Sequence, residues 1–170
     1  MTDRIVMAFS YLMFGASLAI LIVLGISKIS NSPIYVNPEF KQYLDLFKKD
    51  AKRFNAPIDL YKLTTVFSTT VPVGTLAYCL PSTNTVVVST KYWNKMDFRQ
   101  KKTLLYHEWG HCALKREHTE DIRVPYSFCP ASIMHPYMEP VGRCYNELEE
   151  EYLEELFTNP NNYPKISRRD

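Results

Sequence analysis

The five residues His107 to His111, HEWGH, constrain this chain more tightly than any other stretch of it. Two histidines four apart share a face only where the backbone is helical, and there two imidazole nitrogens can converge on one ion. Glu108 follows one residue along, close enough to reach a metal-bound water without being a ligand. That arrangement points to zinc, which lowers the pKa of a bound water towards about 7 while the glutamate takes the proton as the water attacks. A catalytic zinc takes three protein ligands, so the motif leaves one to be found elsewhere.

The surrounding pattern supplies the helix. Asp97 reads as the N-cap of FRQKKTLLYHEWGHCAL, in which Leu104, Leu105, Ala113 and Leu114 can pack one flank on a sheet. Three upstream segments read as strands: LYKLTTVFST (60–69), GTLAYCL (74–80) and TVVVST (85–90), punctuated by VPVG and PSTN. Before them, Phe40, Tyr43, Leu44, Phe47, Ala51 and Phe54 recur at spacings of three and four, an amphipathic helix whose lysines form a solvated outer face. An irregular stretch from about 117 to 140 leads to VGRCYNELEEEYLEELF, where Leu148, Tyr152, Leu153, Leu156 and Phe157 make one apolar stripe beside an acidic face. The expected class is α+β, with the signature helix following a small sheet.

The domain plan divides the chain into an N-terminal membrane segment (1–30), a linker (31–38), the main domain (39–158) and a polar tail (159–170). From Ile5 to Ile26 there are 22 residues without a charge, where about 20 cross a bilayer as a helix. A cleaved signal has a shorter apolar core of about 7–15 residues, and GISKISN offers a poor cleavage site, so an uncleaved anchor is the expected reading. The domain is then expected on the extracytoplasmic side of a membrane; secretion after cleavage is the alternative. A net charge of +2 gives no case for nucleic acid. Cys79, Cys112, Cys129 and Cys144 are either two disulfides, with three pairings open, or buried free thiols. The sequence does not speak to oligomeric state.

Candidates for the third ligand are His118, seven residues beyond His111, the distant Glu147 or Glu150, and Glu117 or Asp121. A second motif bears on the choice. HEWGH with a later histidine and then SIMHPY (132–137) resembles the zinc helix and Met-turn of metzincin metallopeptidases. More closely, LLYHEWGHCALKREH, with VVVSTKYWNKM upstream, resembles small bacterial and phage metallopeptidases carrying HELGHCxLxRxH. The usual metzincin pattern has glycine where this chain has Leu114, and its third ligand falls at Glu117. In the smaller group the later histidine sits where His118 does.

The resemblance covers about residues 74–137 and implies a zincin-like α+β fold, a sheet over the metal helix with the cleft between. It implies Zn2+ held by His107, His111 and His118, Met134 as an apolar floor under the ion, and Glu108 as general base in peptide-bond hydrolysis. A peptide or protein substrate would then lie along a sheet edge, GTLAYCL. Tyr137 is the candidate donor to the developing oxyanion, by analogy with the Met-turn tyrosine. His135 is expected beside the site rather than in it, and Arg116 is expected to orient the third-ligand loop through a carboxylate such as Asp121. Two rival readings are a non-catalytic module stapled by zinc with a fourth ligand, His135 or a cysteine, and a gluzincin-like peptidase using Glu147.

Overall fold

Alternation and turn chemistry place a sheet ahead of the signature helix, and that is the order the chain takes. The structure is a computed structural model that describes residues 34–122 and 128–158. These belong to one compact unit that begins at Pro33. The anchor expected over 1–30 and the polar tail from 159 lie outside the described residues. Among those described, no helix is long and apolar enough to cross a membrane.

Four strands, β1 (Tyr35–Val36), β2 (Thr64–Ser68), β3 (Ala77–Leu80) and β4 (Thr85–Ser89), form one sheet in the order β1-β2-β4-β3. β1 and β4 both run parallel to β2, and β3 returns antiparallel to β4 through the turn at Pro81–Asn84. The end of the expected linker is therefore part of the sheet: Tyr35 and Val36 pair with Thr64 and Thr65. Two residues flanked by prolines carry too little pattern to read as a strand, and only the pairing with β2 makes them one.

Four α-helices are described. α1 (Lys41–Arg53) continues a 3-10 turn at Pro38–Phe40, α2 is the single turn Thr90–Trp93, α3 (Phe98–Leu114) carries the signature, and α4 (Met138–Phe157) closes the fold with a kink at Leu148. α3 opens on a capping box: the Asp97 side chain accepts from the Gln100 N–H, and the Gln100 side chain accepts from the Asp97 N–H. α4 starts three residues before Val141, where the helical pattern is expected to begin, with Pro140 tolerated in its first turn where an N–H has no intrahelical partner.

The core lies between the sheet and the helices. Phe40, Phe47, Tyr106, Trp109 and Phe157 meet there, and Trp109 Nε1 donates to Thr65 Oγ1 at 3.1 Å, fixing α3 against β2. Leu148, Tyr152, Leu153, Leu156 and Phe157 are all buried, as the stripe on α4 requires. Both cysteine pairs are disulfides. Cys79–Cys112 ties β3 to α3, and Cys129–Cys144 ties the segment before Ser132 to α4.

Candidate metal centre

After an exposed first turn, α3 buries every residue from Lys102 to Gly110, because it crosses the middle of the core. On one side His107, Glu108 and the half-buried His111 line a cleft of about 840 Å³. β3 forms the opposite wall, and Tyr137 and Glu139 lie on the rim.

The chain after α3 is turned back on itself. Lys115 takes the left-handed conformation (φ 56°, ψ 36°), and the N–H groups of Lys115 and Arg116 both donate to the Gly110 carbonyl. The reversal carries His118 back over the helix. The next residues pair with the segment around Met134: Thr119 N–H donates to the Met134 carbonyl at 3.1 Å and Ala131 N–H to the Asp121 carbonyl at 2.8 Å.

Three imidazoles meet as a result. The Nε2 atoms of His107, His111 and His118 lie 3.2, 3.2 and 3.0 Å apart. The Nδ1 of His107 stands 2.8 Å from the Ile133 carbonyl, and that of His111 stands 2.6 Å from the Arg116 carbonyl. A carbonyl only accepts, so both rings must carry their proton on Nδ1 and turn a bare Nε2 lone pair inwards. Lone pairs converging at such distances repel unless a cation lies between them. Zinc bonds of about 2.0–2.1 Å in a tetrahedral arrangement put ligand nitrogens about 3.3 Å apart, within a few tenths of what is found. The three histidines can thus hold a metal.

The other third-ligand candidates do not join them. Glu147 and Glu150 lie exposed on α4, and Glu150 pairs with Arg53 instead. Glu117 is an exposed residue of the cleft lining, and Asp121 lies in the paired segment beyond. His135 is buried, its Nδ1 held by the Tyr137 backbone, and no cysteine is free. Among the described residues the metal-competent group has three members and no fourth.

Electrostatics suit neutral ligands. Burial pushes the His107 imidazole down to about 4, with His111, His118 and His135 adding to the effect against the Ile133 carbonyl. Burial and the neighbouring His111 also lower His118. Burial raises the Glu108 carboxyl to about 8, opposed by a hydrogen bond from the Cys79 backbone N–H.

Met134 is fully buried against α3. A Cβ built on Gly110 would come within 2.5 Å of its Sδ, so this position of the helix needs glycine. Tyr137 is 68% exposed at the cleft mouth, and its ring faces His135. Arg116 does hold the third-ligand loop to a carboxylate, but the partner is Glu155 on α4 rather than Asp121. Spacing along the sequence could not find it, since 39 residues separate the two. The one available signal was an acidic residue inside the apolar stripe of α4, next to Leu156.

A smaller cavity of about 460 Å³ adjoins the cleft past Leu76, Leu104 and Met138. Gly142 of α4 lines it, and a Cβ there would meet nothing within 4 Å.

Comparison of the chain with protein-family models, with curated proteins and with solved structures gives no match.

Proposed function

We propose that this protein is a zinc-dependent metallopeptidase of metzincin-like, zincin-type architecture, with His107, His111 and His118 as ligands and Glu108 as general base. The observation that carries the reading is the convergence of three Nε2 atoms, those of His107 and His111 bare, beside a buried glutamate on a cleft walled by a sheet edge. Zinc bound there would polarise a carbonyl and lower the pKa of a coordinated water towards about 7. Glu108 would accept the proton of the attacking water and hand it to the leaving amine, from a buried position lining the same cleft as His107 and His111.

The cleft wall favours an extended peptide. Ser89 N–H donates to the Leu76 carbonyl at 2.9 Å, so by the alternation of an antiparallel ladder Leu76, Tyr78 and Leu80 face β4. Ala77 and Cys79 then turn their backbone groups to the outer edge. The Cys79 N–H serves Glu108, which leaves the N–H and carbonyl of Ala77 for a substrate strand. The adjoining cavity beside Gly142 offers space for a bulky apolar side chain of that substrate. Tyr137, on the rim of the same cleft, is the candidate donor to the oxyanion.

A three-member group leaves a coordination position for water, which supports catalysis over a closed structural site. The exposed position of Glu147 on α4 disfavours the gluzincin-like arrangement. Two disulfides fit an oxidising compartment and so support an extracytoplasmic domain held by the apolar segment at 5–26.

Glu108→Gln tests the reading. It is expected to retain one zinc per molecule by elemental analysis while kcat/KM on a mixed peptide library falls at least about 100-fold. Hydrolysis at the parental rate would remove Glu108 from the mechanism, and a parent without zinc would remove the metal.

A further inference from the structure

Glu155 is a carboxylate 2% exposed, in the last turns of α4, and the hydrolytic mechanism makes no use of it. Its two oxygens are taken by two different segments. Oε1 accepts from Arg116 Nη2, and Oε2 accepts from the Ser132 hydroxyl. Arg116 is fastened further by Nη1, which donates to the Glu155 and Leu156 carbonyls at 2.9 and 2.8 Å, groups the helix end leaves without intrahelical partners. Ser132 is fastened by its Oγ, which accepts the Met134 N–H at 2.9 Å.

These are the segments that orient the two helix histidines. The carbonyl of Arg116 itself receives the His111 Nδ1 proton, and the carbonyl of Ile133, next to Ser132, receives that of His107. We infer that Glu155 is a positioning residue: one buried carboxylate holds both carbonyls in place and thereby keeps both imidazoles in the tautomer that presents Nε2 to the metal. Outer groups of this kind change metal affinity by about 10–100-fold when removed. The inference rests on the three-histidine metal reading for its affinity arm, but its tautomer arm does not need a metal.

An amide weakens both arms. Glutamine removes the charge that holds the Arg116 guanidinium, and with its oxygen turned to Arg116 its NH2 can only donate to the Ser132 oxygen, which already accepts the Met134 N–H. Ser132→Ala removes the arm on the His107 side alone.

The experiment compares the full parent chain with Glu155→Gln, Ser132→Ala and, as control, Lys102→Met. Lys102 bridges to Glu149, joining the same two helices through an ion pair remote from the histidines. Two readouts are taken at one pH: zinc Kd by chelator competition, and the imidazole tautomers of the metal-free protein by 15N NMR. Glu155→Gln is expected to weaken zinc about 10–100-fold and to reduce the Nδ1–H form of His107 and His111. Ser132→Ala is expected to affect His107 alone, and Lys102→Met neither readout.

Unchanged tautomers and unchanged Kd in Glu155→Gln would overturn the inference. So would an equal loss in Lys102→Met, which would make the effect one of helix docking. A parent that binds no zinc but shows the tautomer shift in Glu155→Gln would sink the metal reading and leave the positioning role standing. Should Glu155→Gln fail to fold, the His107-only response of Ser132→Ala decides, and its absence overturns the inference.

Discussion

Glu108 and His107 carry opposite consequences of the same burial. In the metal-free protein Glu108 keeps its proton up to about 8, against an ordinary 4.5, so its contribution to stability is complete below 4.5 and is lost as the pH rises to 8. His107 refuses a proton down to about 4, against 6.5, so its contribution is lost as the pH falls from 6.5 towards 4. Between pH 6.5 and 8 only the first of these acts. The metal-free domain is expected to lose stability across that interval, and Glu108→Gln to flatten the slope; urea midpoints at the two pH values check it. Gly110 gives a second prediction at this scale. Alanine there would press on Met134 Sδ and on Leu156, both fully or nearly fully buried, at a cost of about 1–3 kcal/mol. Up to about 1 kcal/mol returns through helix propensity, so a net loss measured by chemical denaturation is expected. His107, Glu108 and His111 were legible as a unit because helical spacing is local. Glu155 was not, because what makes it special is two partners on distant segments.

At the scale of elements, α3 is held from both ends and from above. The capping box fixes its start, the left-handed Lys115 ends it, and the Cys79–Cys112 disulfide ties its last turn to β3. That disulfide closes a loop of 33 residues and also keeps the Cys79 N–H over Glu108. Replacing both cysteines by alanine is expected to cost about 2–4 kcal/mol in denaturant titration and to lower hydrolysis as well, since the backbone N–H at position 79 is no longer tied in place over Glu108. Capping of α3 by Asp97 was readable from the sequence, and so were β2, β3 and β4 to within a few residues. Three things were not. β1 is too short to show alternation, α2 has only one turn, and the reversal at Lys115 uses a lysine where a glycine would have announced it.

For the whole molecule, the metal is expected to act as a ligand of the native state only. Free zinc at 100 times its Kd adds about 2.7 kcal/mol to the stability of the parent, and none to His118→Ala. Scanning calorimetry with and without chelator measures it; a Tm indifferent to zinc would return the three histidines to an ordinary cleft surface. What the sequence determined by itself was whatever depends on neighbours along the chain: the helix of HEWGH with its cap, the strands β2, β3 and β4, the amphipathic faces of α1 and α4, and the two imidazoles and one acid brought together on α3. What only the tertiary structure decided was everything that joins remote segments. That includes the return of His118, the pairing of the cysteines, the placement of Met134 under Gly110, and the exchange of Asp121 for Glu155 as the partner of Arg116. The reason is physical. Periodicity and capping are set by bonds within a few residues, whereas a contact across 39 residues exists only after the core has closed and removed every competing partner from reach.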